Sequence, residues 1–199
     1  MKRRPPPNRL LLWLERLLLT GSAFLLGYCA FVMADAWVVQ RHARQELDRR
    51  LHIVETTAPS SVAPPPVGPD GLIGRIDVAR IGLSAVVFEG TGKFTLRRAV
   101  GHIEATALPG QRGNTGLAGH RDSFFRPLKD IRLADIIEVT TFNGVYRYRV
   151  VSLRVVKPTG VFVLNTNGSE EVLTLVTCYP FYFVGAAPSR FIVRAERLT

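Results

Sequence analysis

The hydrophobic pattern divides the chain at about residue 70. Residues 17–39 form a mainly apolar run broken by one acid, Asp35, and its length matches the roughly 20 residues that a membrane-spanning helix needs. We therefore predict a transmembrane helix over 17–39, after a short basic tail over 1–16. Apolar residues then recur loosely at helical spacing and predict a juxtamembrane helix over 40–55: Trp37, Val38, Leu47, Leu51 and Val54. The Pro-rich segment 56–70 predicts a semi-rigid linker.

A cleaved signal peptide is the alternative interpretation of the N-terminal run, since basic residues precede it. The run is longer than the apolar region of about 7–15 residues that signal peptides usually have. Ala34-Asp35-Ala36 only imitates a cleavage site. A retained membrane helix is therefore the preferred interpretation.

From residue 71 the pattern changes to short runs rich in Val, Ile, Thr, Phe and Tyr, which Gly, Pro and Asn-Gly separate. Such runs predict β-strands, and Asn143-Gly144 predicts a tight hairpin turn. The eight candidate strands cover residues 72–79, 83–90, 95–103, 114–121, 135–142, 145–156, 171–179 and 190–198. Only 124–135 has the pattern of a short helix or an irregular crossing. We expect residues 71–199 to form one mainly all-β domain, a barrel or a sandwich.

The net charge of +10 on 199 residues suggests a nucleic-acid-binding protein when it is taken as an average. Its distribution argues against that class. Residues 1–16 carry a net +4 directly before the apolar run, where Lys and Arg keep the basic end of a membrane helix in the cytoplasm. Residues 70–199 carry +6 without a basic stripe interleaved with aromatic residues. We expect a single-pass cell-membrane protein with a cytoplasmic N-terminus, an extracytoplasmic β-domain and no nucleic-acid partner.

The chain has two cysteines, which excludes a disulfide framework and a Cys-rich zinc site. Cys29 lies in the apolar run, so Cys178 is the only thiol of the predicted β-domain. It ends an apolar strand two residues before Pro180, which cannot donate to a sheet ladder. A thiol at the mouth of a strand can reach a substrate and act as a nucleophile. The alternative is a small, buried hydrophobic residue.

A nucleophilic thiol needs a proton partner, and the β-domain has two histidines. His120 follows a strand of small residues and enters a polar loop, whereas His102 precedes an apolar residue and a turn. We favour His120, and a hydrogen-bonded structural histidine is the alternative for either one. Arg190 opens the last strand, where alternation turns it away from the core. It can stabilise an oxyanion or hold a substrate carbonyl; the alternative is an ordinary solvated arginine.

Two segments, GNTGLAGHRDSFFRPLKDI and TLVTC followed by YPFYFVGAAPSRFIVRA, resemble the sortase family of membrane-tethered cysteine transpeptidases, and most resemble its class D. The resemblance implies a closed eight-stranded β-barrel with short helices from about residue 71 to the C-terminus. It also implies that Cys178 is the nucleophile, His120 the catalytic histidine and Arg190 the catalytic arginine. Thr177 matches a residue that helps to shape the oxyanion site. His102 matches a position without a catalytic role.

The resemblance further implies a secreted protein substrate with an LPxTG-like C-terminal sorting motif, cleaved through a thioester on Cys178. The acyl group then passes to an amine acceptor, either a peptidoglycan stem peptide or a pilin lysine. No cofactor and no metal is expected: some family members bind calcium through an acidic loop cluster, whereas the acids here are scattered. The local signatures of papain-like proteases and L,D-transpeptidases are absent. A noncatalytic, membrane-tethered β-domain that binds an envelope partner is the alternative from another class.

Overall fold

The computed structural model describes residues 9–56, 67–68, 70–160, 164 and 170–198. The first half of the predicted basic tail and nearly all of the predicted linker lie outside the described residues. The chain forms two compact units, Met1–Val38 and Val39–Thr199.

Helix α1 runs over Arg9–Thr56 and contains the whole apolar run. In the first unit its large apolar side chains, among them Leu18, Phe24 and Phe31, are exposed. Exposure of so much apolar surface is unfavourable in water, which identifies this stretch as one that needs an apolar environment. By length and composition, the helix is long and apolar enough to cross a membrane.

The second unit contains a closed barrel of eight strands, as expected. The strands are β1 (Leu72–Val78), β2 (Leu83–Glu89), β3 (Val100–His102), β4 (Gly113–Ala118), β5 (Ile136–Thr141), β6 (Gly144–Val156), β7 (Glu171–Tyr179) and β8 (Ser189–Arg197). Their order around the barrel is β1-β2-β3-β4-β7-β8-β6-β5. The β2–β3 and β4–β7 pairs are parallel and the others are antiparallel.

The barrel interior is filled by the inward-facing residues of each strand, which are every second residue along it. Leu173, Leu175, Val193 and Ala195 show the alternation on β7 and β8, and each is fully buried in the core cluster. Ile192 faces the other way yet is also buried, so that strand is covered on both faces at this position. Residues 124–135 contain the 3-10 helix Arg126–Asp130, in agreement with the predicted short helix or crossing.

The prediction of a strand over 95–103 is wrong for its first half. Residues Lys93–Arg98 form helix α2, and β3 contains only Val100–His102. The segment has good helix formers, Lys, Leu and Arg, in place of an alternating pattern, and its two arginines lie in the last turn, where a helix dipole favours positive charge. The strand begins only at the β-branched residue Val100.

The second unit includes the C-terminal part of α1, which packs against β2. Leu47 is completely buried in a small cluster with Leu72, Val86 and Phe142. The helix also makes a polar contact with β2, because the side-chain oxygen of Gln40 accepts a hydrogen bond from the Val86 amide at 3.0 Å. Residues 39–49 therefore belong to the barrel unit and complete its packing.

The edge of β2 is covered by a second polar contact from the same helix. Arg44 Nη2 donates to the Ser84 carbonyl at 2.9 Å. Strand β3 pairs with β2 only from Val87 onward, so residues 84–86 of β2 would otherwise present an unpaired edge. Side chains of α1 satisfy the backbone groups that β3 is too short to reach.

Candidate active site

Cys178 is the second-to-last residue of β7, near the point where the chain leaves the sheet. Because Leu173 and Leu175 point into the core, alternation places Val176 and Cys178 on the outer face of the barrel. The Cys178 thiol is half-buried. Neither it nor the exposed Cys29 of helix α1 forms a disulfide. This placement leaves the sulfur accessible at a strand mouth, where the sequence pattern put it.

Arg190 is the direct partner of Cys178 in the antiparallel β7–β8 ladder. Directly paired residues of antiparallel strands have their side chains on the same face, with Cβ atoms about 4.5–5.5 Å apart. Arg190 is half-buried, and its Nη1 donates to the carbonyls of Ala187 at 3.3 Å and of Ser189 at 3.0 Å. The structure thus brings a permanently charged guanidinium to the same face of the sheet as the thiol.

His120 reaches the same place from the other side of β7. Strand β4 runs parallel to β7, and their last paired residues are Ala118 and Val176. The Gly119 amide then donates to the Val176 carbonyl at 3.2 Å, which extends the ladder by one step. His120 and Cys178 lie two residues beyond that last pair, so alternation places both on the outer face. The imidazole is exposed to solvent.

Thr177 faces the opposite way from Cys178 and is 2% exposed. Its hydroxyl donates to the Gly119 carbonyl at 2.7 Å. The side chain therefore fixes the backbone directly before His120 instead of facing the outer side of the sheet. What it contributes is a rigid link between the strand of the thiol and the strand of the histidine.

Gly119 is held between that hydrogen bond and the barrel core. A Cβ atom at this position would lie 2.8 Å from the ring of Phe125, which is fully buried. The chain then turns, because the His120 carbonyl accepts hydrogen bonds from the Phe125 amide at 3.1 Å and the Ser123 amide at 3.4 Å. Only glycine lets the Phe125 ring anchor this turn so close to the strand.

His102, the other candidate, is a buried structural residue at the end of β3 and is 2% exposed. Its Nδ1 lies 2.9 Å from Glu89 Oε2, and its Nε2 lies 3.0 Å from both the Ala107 carbonyl and the Thr106 hydroxyl. That hydroxyl donates its hydrogen to the Ile103 carbonyl at 2.6 Å. Both ring nitrogens therefore have hydrogen-bond partners within the barrel unit. The ring has no access to solvent or to a substrate.

Two features around the candidate site were not visible in the sequence pattern. Tyr179, Phe181 and Phe191 form an aromatic cluster with ring centroids 5.5–6.2 Å apart, and Phe181 and Phe191 pack against the barrel core. Arg121, directly after His120, donates from Nη2 to the carbonyls of Phe183 and Gly185. The partners of Arg121 are backbone oxygens more than 60 residues away, which no local pattern identifies.

No group of three or more His, Cys, Asp or Glu residues with the geometry of a metal site occurs in the described part of the chain. The chemistry available at the candidate site is that of one thiol, one imidazole and one guanidinium. These are the group types of a nucleophile, a proton-transfer group and a fixed positive charge.

Comparison with known proteins decides the family. The family model described as the Sortase domain matches residues 76–198, more than half of the chain. The chain belongs to the sortase family. Its match includes all eight strands except the first residues of β1, so the closed barrel is a sortase barrel.

Relatives of known name include class D sortases, as the motifs suggested. Sortase D of Bacillus subtilis (strain 168) is 31% identical over 126 residues, which are 63% of this chain and 64% of that protein. Sortase A of Listeria monocytogenes is 30% identical over 113 residues, 55% of this chain and 50% of that protein. The chain thus matches less than two thirds of the length of each of these relatives.

Solved structures show the same fold. The Clostridium perfringens Sortase D5 transpeptidase superposes with a TM-score of 0.64 at 26% identity, covering 83% of this chain and 99% of that one. Sortase C1 of Streptococcus agalactiae superposes with a TM-score of 0.62 at 29% identity, covering 67% of this chain and 70% of that one.

Proposed function

We propose that this sortase-family chain is a membrane-anchored cysteine transpeptidase that cleaves an LPxTG-like sorting motif and transfers the acyl group to an amine. The observation that carries the proposal is the direct pairing of Cys178 with Arg190 on the outer face of the barrel, with His120 at the end of the adjoining strand. Two relatives are named Sortase D and Sortase D5 transpeptidase, which supports the same activity.

The first half of the reaction forms a thioester. The Cys178 thiolate attacks the backbone carbonyl carbon of the Thr-like residue of the sorting motif, and a tetrahedral oxyanion forms. As the C–N bond breaks, protonated His120 gives its proton to the departing amine. The acyl group stays on sulfur as a thioester, and the C-terminal part of the substrate leaves as a free amine.

The second half transfers the acyl group. Neutral His120 takes a proton from the incoming amine, which attacks the thioester carbonyl. The C–S bond breaks, the thiolate is restored and a new amide remains. A peptidoglycan stem peptide or a pilin lysine supplies this amine, so the product is a secreted protein anchored to the cell wall or joined to a pilus.

Arg190 and Thr177 support both halves. A guanidinium on the same face as the thiol places fixed positive charge where the tetrahedral oxyanion develops, and its planar fork also orients a peptide carbonyl. Thr177 contributes through the backbone: its hydroxyl holds the Gly119 carbonyl and thereby sets the position of the next residue, His120.

The apolar part of α1 anchors the protein in the membrane. The basic N-terminal tail, with a net +4 over residues 1–16, keeps that end in the cytoplasm. The barrel then lies outside, where secreted substrates and wall acceptors occur. The helix provides the anchor and takes no part in the chemistry.

A noncatalytic β-domain that binds an envelope partner is the second candidate. That function predicts an inert, fully buried Cys178, because an unreactive thiol has no reason to lie at a strand mouth. The observed thiol is half-buried and is paired with an arginine, which favours the enzyme.

The test is an acyl-transfer assay on the full-length chain in detergent micelles. The protein is incubated with a panel of LPxTG-type peptides and hydroxylamine, and the hydroxamate product is measured. Wild type and Cys29→Ala are expected to form product, whereas Cys178→Ala is not. Absence of Cys178-dependent product across the whole panel would contradict the transpeptidase.

A further inference from the structure

The β7–β8 loop, residues 180–188, connects the strand of Cys178 to the strand of Arg190. Its tip presents three consecutive apolar residues to solvent: Tyr182 is 73% exposed, Phe183 45% and Val184 94%. The start of the loop is anchored, since Phe181 packs in the aromatic cluster against the core. Apolar burial holds the base of the loop and leaves its tip without such support.

The tip is held by the residue that follows His120. Arg121 Nη2 donates to the Phe183 carbonyl at 2.6 Å and to the Gly185 carbonyl at 3.0 Å. Its guanidinium carbon also lies 5.8 Å from the centre of the Phe183 ring, within the range of a cation–π contact. Charge-assisted hydrogen bonds are about twice as strong as neutral ones. One side chain therefore fixes the two carbonyls on either side of Val184.

The contact of Arg121 with the loop leaves one nitrogen of its guanidinium without a partner among the described residues, which is unfavourable. Arg121 Nη1 is buried and finds no hydrogen-bond acceptor within the described part of the chain. A buried donor without a partner costs about 1–3 kcal/mol. An exposed arginine avoids that cost by extending its head group into water. In this structure Arg121 contacts the loop although part of its guanidinium is thereby removed from water.

Arg190 makes a second, separate attachment to the same loop. Its Nη1 donates to the Ala187 and Ser189 carbonyls, at the point where the loop joins β8. The two arginines thus hold different parts of the loop, Arg190 the base and Arg121 the tip. Within the described part of the chain, the hydrogen bonds of Arg121 connect the tip of the loop to the His120 segment.

We propose that Arg121 is a positioning residue: by holding the Phe183 and Gly185 carbonyls, it fixes the tip of the β7–β8 loop beside His120 and so shapes the surface against which a peptide binds at Cys178. The effect on catalysis rests on the proposed transpeptidase function. The effect on the loop does not depend on that function and is measured independently.

The loop is tested by a nitroxide spin label at Val184→Cys in the full-length chain in detergent, with Cys29→Ser and Cys178→Ala leaving one thiol. Arg121→Gln is expected to shorten the rotational correlation time of the label by about threefold, as for a loop released to nanosecond motion. Arg121→Lys is expected to restrain the label more than Arg121→Gln, since both bonds come from one nitrogen and an ammonium has three donors. The matched control Arg126→Gln, at an exposed arginine on the neighbouring 3-10 helix, is expected to leave the spectrum unchanged.

An unchanged spectrum in Arg121→Gln would overturn the proposal. If that variant does not fold, the label in the protein that retains Arg121 decides, and a label there as mobile as in an unfolded chain, within a folded barrel, would overturn the proposal. In the enzyme with its thiols restored, Arg121→Gln is expected to raise KM for the sorting peptide about tenfold, with the pH profile and the thermal midpoint unchanged. Wild-type kinetics in Arg121→Gln would refute the catalytic effect alone, whereas a wild type without Cys178-dependent transfer would refute the proposed function and leave the spin-label result to decide the loop.

Discussion

Cys178 and Arg190 are direct partners across the β7–β8 ladder, with both side chains on the outer face of the barrel. The β7–β8 ladder holds these two residues opposite each other. It continues through the Leu175–Val193 and Leu173–Ala195 pairs, whose side chains lie in the core. The thiol and the guanidinium are therefore positioned by the most buried part of the sheet, and preorganisation of this kind is what electrostatic catalysis needs.

The role of Arg190 predicts a specific intolerance to lysine. Arg190→Lys keeps the charge but loses the planar fork, so we expect kcat/KM to fall by about 10²-fold or more, as for the loss of an oxyanion donor. Arg194→Lys is the matched control, because Arg194 lies on the same strand four residues along and pairs with Thr174 instead of the thiol. Peptide-cleavage kinetics measure both variants, and full activity of Arg190→Lys would identify a merely solvated arginine.

The two histidines predict opposite effects on activity and stability. His120→Ala is expected to abolish transfer with little change in the free energy of unfolding, because the ring is exposed. His102→Ala is expected to cost about 1–3 kcal/mol of unfolding free energy, since the contacts of the buried ring with the Glu89 carboxylate and the Ala107 carbonyl are lost. Turnover per folded molecule stays near wild type in His102→Ala. Equal losses of turnover in the two variants would contradict this assignment.

Contacts of the juxtamembrane helix predict where a soluble fragment must begin. A fragment of residues 71–199 lacks Ala43 and Leu47 and exposes the apolar surface that they cover on Leu72, Val86 and Phe142. Burial of one Leu side chain stabilises by about 1.5–3 kcal/mol, and each kcal/mol shifts the thermal midpoint by about 2–4 °C in a domain of this size. We expect 39–199 to melt about 3–12 °C above 71–199 in calorimetry. Identical midpoints would show that the helix is only a tether.

The Arg80–Asp135 pair predicts the response of the barrel to acid. Arg80 Nε and Nη2 donate to the Asp135 carboxylate at 2.5 and 2.6 Å, and this hydrogen bonding lowers the pKa of Asp135 below its ordinary value. A carboxyl with a lowered pKa in the folded state contributes stability above its unfolded pKa of about 3.9, and that stability is lost as the pH falls through the folded value. Urea unfolding at several pH values is therefore expected to show wild type more stable than Asp135→Asn at pH 7. A stability difference that persists in strong acid would contradict the linkage.

Much of the fold follows from local patterns. The apolar run that ends at Cys178, with Pro180 two residues further on, predicts a thiol at a strand mouth, and the structure adds that the thiol lies on the face opposite to Leu173 and Leu175. The pattern predicts a strand wrongly at residues 95–98, which lie next to a short β-run but form the C-terminal part of α2. Short elements are decided by tertiary contacts that local propensity does not contain.

The candidate site divides in the same way. Cys178 and Arg190 are recognisable by type and by their strands, and the polar loop after a strand of small residues favours His120. The placement of His120 level with Cys178 depends on the parallel β4–β7 register, which no local segment encodes. Arg121 and Gln40 were not identified at all, because their partners are backbone groups 46–64 residues away. Side-chain to backbone contacts of this kind leave no periodic signal in a sequence.

Direct detection of the acyl-enzyme tests the central claim best. The full-length chain in detergent is incubated with an LPxTG-type peptide, quenched in acid and examined by intact-protein mass spectrometry. We predict an added mass equal to the N-terminal part of the cleaved peptide on Cys178, absent from Cys178→Ala and released by hydroxylamine, as a thioester requires. Product formation without an adduct on Cys178, or an adduct that persists in Cys178→Ala, would contradict catalysis through this thiol.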